Sequence, residues 1–197
     1  MARDSTATKH RILDAATVEF AAHGLAGARV DRVAERAGAN KQLIYAYFGS
    51  KERLFDTTLA THLERFIEAV PFDADDLPGY AAAMFDFGVA HPDLLRLLQW
   101  HTLERPGELA RMEQNHQSTR RKLAALAEAQ AAGRVDDTLP PAELLAVVLA
   151  VARSYDDPAP TSVTARRASV TTAVRRLVTP RPAPVEPARP SGPKPSK

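Results

Sequence analysis

The sequence contains no cysteine, and this excludes disulfide bonds, thiolate metal sites and thiol catalysis. Aromatic residues make up only 6% of the chain, and alanine, leucine, valine and arginine dominate it. No apolar run approaches the ~20 residues that span a bilayer. The N-terminus carries scattered charges in place of the apolar segment of a signal peptide. These features predict an all-helical protein that is soluble and cytoplasmic.

The sequence also lacks the short motifs that mark common enzyme classes. It has no Gly-rich phosphate loop, no GxSxG and no HExxH. Asp73, Asp75 and Asp76 form an acidic cluster, but they fall in a predicted linker, where solvation explains them. His116 follows Glu113 by three residues without a third metal ligand in sequence reach. We therefore expect no enzyme activity, no cofactor and no bound metal.

Charge is distributed unevenly, although the formal net charge is only +2. Residues 1–51 carry eight Lys or Arg against five Asp or Glu, a net of +3. Residues 52–160 carry ten against eighteen, a net of −8, and residues 161–197 carry eight against one, a net of +7. A basic N-terminal segment on an acidic middle is typical of a chain with one end facing phosphate. We interpret the basic C-terminal end as a solubilising tail.

Apolar residues at helical spacing predict three short helices within the first fifty residues. The first covers about residues 8–23, the second 30–37 and the third 41–48. A glycine follows each of the first two, and Asn40 is a plausible N-cap of the third. Ser50 is expected to cap a longer fourth helix that ends before a proline.

The rest of the chain also shows helical patterns, with Pro and Gly at the breaks. The last segment is rich in proline and poor in apolar residues, so we expect it to be disordered. The predicted helices are 78–90, 92–104, one long helix ending near 132, 141–155 and 162–178, and the predicted tail is 180–197.

The glycine-bearing turn before the third helix predicts a helix-turn-helix whose last helix enters the major groove of DNA. On this helix Ile44 and Phe48 fall on one side, and Gln42, Leu43 and Ala46 point away from them. Glutamine can form a bidentate pair with adenine, leucine can contact a thymine methyl, and alanine permits close approach. From periodicity alone, an ordinary three-helix core explains the same pattern equally well.

Residues beside this face are suited to the phosphate backbone. The hydroxyls of Tyr45 and Tyr47 flank the predicted reading face. Lys51 lies at the start of the fourth helix, and a helix N-terminus is itself an anion site. These three side chains are therefore predicted to position the protein on DNA without reading its sequence.

The run RVDRVAERAGANKQLIYAYFGSKERLF resembles the DNA-binding domain of the TetR (tetracycline repressor) family. Three parts fall in register: the Ala-Gly turn at 37–38, the Tyr-x-Tyr-Phe ending at 45–48 and the Ser-Lys-Glu at 50–52. The resemblance covers about residues 9–55. Two positions depart from the family pattern: Arg29 stands where Ser or Thr usually caps the second helix, and Ala39 stands where valine is usual. The candidate DNA contacts are Arg29, Asn40, Lys41, Gln42, Leu43, Tyr45, Ala46, Tyr47 and Lys51.

The larger half carries a weaker resemblance, in HPDLLRLLQWHTLERP and RRASVTTAVRRLV. It implies a helical bundle that houses a small-molecule pocket and dimerises through its last two helices. The apolar helix at 141–155 and the valine stripe of the final helix are compatible with this interface, and a single-chain core is the alternative. Aromatic, methionine and histidine side chains can line such a pocket. The candidates are Met84, Phe85, Phe87, Trp100, His101, Met112, His116 and Tyr155.

The expected fold is therefore all-α, with a helix-turn-helix domain at 1–50, a ligand-binding and dimerisation bundle at 51–179, and the tail. The expected function is a ligand-responsive transcriptional regulator, a repressor released from its operator by a small molecule. Its expected partners are double-stranded operator DNA, a second copy of the chain and a small-molecule effector. The alternatives are an enzyme and an architectural protein that binds DNA without sequence preference.

Overall fold

The computed structural model describes residues 2–154 and 162–180. Within these residues the chain forms ten helices and no strand, which confirms the predicted all-α fold with an N-terminal helix-turn-helix and a C-terminal helical bundle. The predicted tail beyond residue 180 lies outside the described residues, as does Tyr155. The helices are α1 (Ala2–Gly27), α2 (Val30–Ala37), α3 (Lys41–Phe48), α4 (Lys51–Ala69), α5 (Leu77–Ala90), α6 (Pro92–Glu104), α7 (Glu108–Arg111), α8 (Glu113–Ala131), α9 (Pro141–Ala152) and α10 (Val163–Val178).

Helix α1 is longer than its apolar pattern predicts, and it is kinked. Ile12, Ala16 and Phe20 are fully buried and form its inner face, as their spacing predicts. At Gly24 the backbone leaves helical geometry, with φ 66° and ψ −175°. The helix begins at Ala2. Its first turns consist mainly of polar residues, which give no apolar periodicity from which the sequence could predict them.

The prediction of one long helix after the Pro-Gly turn at 106–107 is wrong, because the structure divides this segment at Met112. There the backbone is extended, with φ −63° and ψ 124°. The Met112 side chain packs against the N-terminal core. Asn115 Nδ2 donates to the carbonyl of Leu109 at 3.1 Å, so a side chain spans the break. Two helices, α7 and α8, replace the single one.

Polar side chains cap several of the helices. The Ser50 hydroxyl accepts from Arg53 N at 3.2 Å and begins α4, as predicted. Asp76 Oδ1 accepts from Gly79 N at 2.9 Å, so α5 begins one residue before Pro78. The hydroxyl of Ser162 accepts from Ala165 N at 3.2 Å and caps α10.

Two clusters of buried side chains form the interior. The N-terminal cluster joins α1–α4 to Leu94 and Leu97 of α6. The second cluster joins the end of α4 to α5, α8, α9 and α10. Phe66 and Phe87 pack against both clusters, and their rings meet edge to face at 5.2 Å. Helix α6 and this aromatic pair therefore connect the helix-turn-helix to the bundle.

The valine stripe of α10 faces the interior of its own chain. Val170, Val174 and Val178 are buried in the second cluster, where α10 packs along α5. Arg167 Nε reinforces this contact by donating to both carboxylate oxygens of Asp86 at 2.8 Å. These three valines therefore stabilise the fold of their own chain and are not available for an intersubunit contact.

No helix within residues 2–154 and 162–180 is both long enough and apolar enough to span a membrane.

Candidate nucleic-acid interface

Helix α3 is a short, well-capped helix with one buried side. Asn40 Oδ1 accepts from Leu43 N at 2.7 Å, which begins the helix at Lys41. Ile44 is 1% exposed and holds the helix against the N-terminal core, where Phe48 also packs. Gly38, at φ 60° and ψ 39°, ends α2 in the left-handed conformation and turns the chain toward α3. Local sequence therefore fixes both the position of α3 and the side it buries.

The opposite side of α3 is open to solvent. Gln42, Tyr45 and Ala46 are exposed, and Leu43 is half-buried between this side and the core. Tyr47 is also half-buried, and the ammonium of Lys9 lies 5.1 Å from its ring centroid. Gln42, Tyr45 and Ala46 are thus free of core packing, whereas Tyr47 supports the contact between α3 and α1. We refer to Gln42, Leu43 and Ala46 as the reading face, which Tyr45 flanks.

Two of the predicted lysine contacts have protein partners. Lys41 Nζ lies 2.9 Å from Asp31 Oδ1, and this carboxylate raises the pKa of Lys41. Lys51 Nζ donates to the carbonyls of Ala28 at 3.3 Å and Ala26 at 3.4 Å. Lys51 therefore connects the start of α4 to the end of α1 and to the loop before α2, a structural role in addition to the predicted contact with phosphate.

A buried glutamate replaces the missing cap of α2. Arg29 makes no side-chain cap, as its departure from the family pattern predicts. Glu19 of α1 is 5% exposed, and its Oε1 accepts from Arg29 N at 2.9 Å and from Arg32 Nε at 2.8 Å. This contact resembles the reciprocal half of a capping box, in which a glutamate accepts from the N-cap amide. The Arg29 side chain remains exposed. The sequence analysis did not predict this role of Glu19. The only sequence signal was a carboxylate placed among the apolar residues of the buried face of α1.

One side of α6 forms hydrogen bonds to the C-terminal end of α1. Arg96 Nε and Trp100 Nε1 both donate to the carbonyl of Ala21, at 3.0 and 3.2 Å. The carboxylate of Glu104 accepts from the amide of Leu25 at 2.6 Å and from that of Ala26 at 3.1 Å. Residues 96, 100 and 104 recur at helical spacing, so one stripe of α6 bonds the backbone groups on both sides of the α1 kink.

The kink at Gly24 makes this approach possible. A Cβ at residue 24 would lie 2.8 Å from Glu104 Oε1 and 2.8 Å from Trp100 Cε3. The contact between α1 and α6 is also the most extensive between any two helices of the described chain. Arg105, just after α6, forms an ion pair with Asp56 of α4. The end of α6 is therefore bonded to two helices of the N-terminal unit.

The other side of α6 borders a cavity of about 80 Å³ inside the bundle. Leu95 and Leu98 of α6 lie in its wall, opposite residues of α4, α5, α8 and α9. A more open groove of about 350 Å³ adjoins the cavity and shares Leu95, Leu98, Leu109 and Arg153 with it. The cavity is lined by Leu63, Phe66, Ile67, Met84, Phe87, Gly88, Leu94, Leu95, Leu98, Leu109, Asn115, Ser118, Thr119, Lys122, Leu145, Leu149 and Arg153.

The structure places only part of the predicted ligand set at this cavity. Met84 and Phe87 line it. Phe85 is buried in the second cluster, and Trp100 faces α1. His101 is 1% exposed and stacks on Phe55 with 5.9 Å between ring centroids.

The environment of His101 suits a residue of the protein interior. Burial is the main cause that lowers its pKa, and the positive charge of Arg105 adds to it. Met112 packs in the N-terminal core, and His116 is exposed on α8. Neither lines the cavity. The predicted ligand residues are therefore dispersed, and most of the wall is formed by leucines and by one polar side of α8.

The two halves of the chain match two models of one protein family. Residues 12–58 match the bacterial regulatory proteins of the tetR family, and residues 76–181 match the tetracyclin repressor-like C-terminal domain. The chain belongs to the TetR family. The helix-turn-helix and the cavity-bearing bundle are thus the two parts of a TetR-family transcriptional regulator.

Individual relatives agree with this assignment. The chain is 45% identical over 152 residues to the HTH-type transcriptional repressor SCO4008 of Streptomyces coelicolor, covering 77% of this chain and 79% of the relative. It is 38% identical to the solved transcriptional regulator SCO4942 of the same organism, with a TM-score of 0.78 over 87% of this chain and 98% of that one. The regulator FadR of Bacillus subtilis, solved in complex with stearoyl-CoA, is 18% identical, with a TM-score of 0.67 over 84% and 96%.

Proposed function

We propose that this TetR-family regulator is a repressor that reads operator DNA through α3 and releases it when a small molecule occupies the cavity. The observation that carries the proposal is the position of α6, which borders the cavity on one side and holds α1 on the other. A ligand that displaces α6 must therefore also strain its bonds to the DNA-binding unit.

The DNA contacts are assigned from exposure and chemistry. Within the reading face, Gln42 is exposed and can contact a base edge, and exposed Ala46 lets the helix enter the groove. Arg29 is exposed beside α2 and is assigned to phosphate. Lys41 can also contact phosphate, although Asp31 competes for it. We assign residues 1–50 to DNA binding and residues 51–179 to the effector and the second subunit.

Coupling between the sites requires that the effector distinguish two positions of α6. The cavity of about 80 Å³ is smaller than the ~300 Å³ of typical small-molecule pockets. An effector of ordinary size must therefore enlarge the cavity or extend into the adjoining groove, and Leu95 and Leu98 of α6 line both. Arg96, Trp100 and Glu104 on the far side of the same helix would carry a movement of α6 to α1. FadR, a neighbour in fold, binds stearoyl-CoA, and this supports effector binding by such a bundle.

Dimerisation is assigned to the outer faces of α9 and α10. On α9, Ala146, Val147 and Ala150 are exposed, and on α10 Ala168 and Thr172 are exposed. Small side chains allow helices of two subunits to pack closely. A dimer places two copies of α3 about 34–36 Å apart, or a multiple of it, one helical turn of DNA. Light scattering at micromolar concentration should give twice the chain mass, and a monomer with or without DNA would contradict the assignment.

The test of the function is sequence discrimination. DNA fragments bound by the protein are selected from the source genome, and their affinity is compared with that of unrelated DNA at fixed salt. We expect selected fragments to bind roughly 10³-fold more tightly or better. A ratio near one would contradict operator recognition and favour an architectural DNA-binding protein.

A further inference from the structure

Apart from Arg153 at the end of α9, the polar residues of the cavity wall all lie on one helix. Asn115, Ser118, Thr119 and Lys122 line the cavity from α8, at the spacing of a single helix face. The residues of α4, α5, α6 and α9 in the wall are all apolar apart from Gly88. A bound molecule would therefore meet an apolar surface over most of its length and a polar one along a single side.

Two positively charged side chains line the cavity, Lys122 on α8 and the exposed Arg153 just after α9. Lys122 is half-buried, and its Nζ donates to the hydroxyl of Tyr80 at 2.8 Å and lies 5.2 Å from that ring. None of the described lining residues is acidic. Two cations thus border one largely apolar cavity without a carboxylate in its described wall.

The electrostatics agree with this geometry. Burial, and to a smaller extent repulsion from Arg153, lowers the pKa of Lys122 to about 8. Tyr80 offers no negative charge in compensation, because burial raises its pKa to about 12. A half-buried cation with no anionic partner among the described residues is unfavourable in the empty protein, and an anion that enters the cavity would reduce this penalty.

We propose that the effector is an apolar monocarboxylate, held by Lys122 and Arg153 at its carboxylate and by the leucine wall along its hydrocarbon part. This inference rests on the proposed function and specifies the chemical class of its ligand. Ser118 and Thr119 supply neutral hydroxyls to the cavity wall, on the same face of α8 as Lys122. The adjoining groove, which shares Arg153 and Leu98 with the cavity, provides the volume that a longer chain needs.

Three probes of equal chain length separate charge from apolar burial: decanoate, decan-1-ol and decyltrimethylammonium. Their binding is measured by calorimetry on the full-length protein, and release of a selected DNA fragment is followed by fluorescence anisotropy. We expect decanoate to bind at least tenfold more tightly than decanol, and the cation not to bind measurably. Decanoate should also release the DNA.

Substitutions at Lys122 test the site itself. Lys122→Met should weaken decanoate binding at least tenfold, because it removes a charge-assisted hydrogen bond. Lys122→Arg should retain binding. Arg120→Met is the matched control, because Arg120 is an exposed cation on the same helix and does not line the cavity. It should leave decanoate binding unchanged.

The pH dependence adds a second readout. Lys122 binds a carboxylate as an ammonium, and its pKa in the empty protein is about 8. Decanoate affinity should therefore fall as pH rises above 8. Tyr80 stays protonated over this range, because its pKa is about 12, so it does not produce the fall. Lys122→Arg should remove most of this pH dependence.

The outcomes separate the two proposals. Equal binding of decanol and decanoate, or of the cation, would overturn the assignment of a carboxylate, as would unchanged decanoate binding by Lys122→Met. If decanol released DNA as well as decanoate did, the ligand-responsive function would stand without the carboxylate. If decanoate bound through Lys122 but released no DNA, the anion site would stand and the proposed response would be wrong.

Discussion

Replacing Ala46 by glutamate is expected to weaken binding to a selected operator fragment at least a hundredfold. Ala46 is exposed on the reading face of α3, where a small side chain permits close approach to the groove. A glutamate there adds bulk and places a carboxylate among the DNA phosphates. Like-charge contact at an interface costs several kcal/mol, which corresponds to this loss of affinity. The measurement is fluorescence anisotropy with labelled DNA at fixed salt.

The matched control is Ala124→Glu, at an exposed position on α8 within the bundle. It adds the same charge to the chain and should change operator affinity by less than about threefold, because α8 is not assigned to DNA. Thermal unfolding of both variants should stay near that of the natural protein, since neither alanine is buried. Equal losses of affinity in the two variants would mean that net charge, and not α3, controls binding.

Replacing Gly24 by alanine is expected to destabilise the protein by about 2–6 kcal/mol. The backbone at this residue lies in a region that only glycine occupies readily, at φ 66° and ψ −175°, and strain there costs about 1–3 kcal/mol. The new Cβ would also lie 2.8 Å from Glu104 Oε1 and Trp100 Cε3, and overpacking adds a cost of about 1–3 kcal/mol. Urea denaturation measures the change in the free energy of unfolding.

Gly27→Ala is the matched control for this substitution. Gly27 ends the same helix, and the nearest atom to its added Cβ is the Cβ of His23 at 3.4 Å, an ordinary contact. We expect a change of less than about 1 kcal/mol, because alanine has the higher helix propensity and meets no clash. If Gly24→Ala were as stable as Gly27→Ala, the close contact between α1 and α6 would be absent in solution.

Sequence analysis located the helix-turn-helix because its signals are local. Asn40 and Ser50 cap helices within three residues of themselves, and Gly38 sets a turn by its own backbone conformation. The burial of Ile44 and the exposure of Gln42 follow from the 3.6-residue period of a single helix. Such features need no knowledge of how distant parts of the chain meet.

The ligand cavity could not be predicted in the same way. Its wall combines side chains from several helices, so its position depends on helix packing that no local pattern encodes. The ligand candidates were chosen by residue type, and this choice was unreliable. Trp100 donates to the carbonyl of Ala21, and His101 stacks on Phe55. Lys122 was missed, because a lysine on a helix is usually a solvated surface residue. Its burial depends on α5, through Tyr80.

The most direct test of the central claim is the operator-to-random affinity ratio of Gln42→Ala. Arg29→Ala serves as the phosphate control. Lys51 is less suitable, because its ammonium also donates to the backbone carbonyls of Ala26 and Ala28. Arg29→Ala should weaken binding to both DNAs about equally and reduce the salt slope by about one.

Gln42→Ala should cost about 1–3 kcal/mol on the selected operator and little on random DNA, because it removes a base-edge contact from an exposed side chain. Both affinities are measured by anisotropy across a salt series, with thermal unfolding as the check on folding. We expect the ratio to fall about five- to 150-fold, in keeping with that range. If Gln42→Ala had the same operator-to-random affinity ratio and the same melting temperature as the unsubstituted protein, the assignment of α3 as the element that reads DNA sequence would be contradicted.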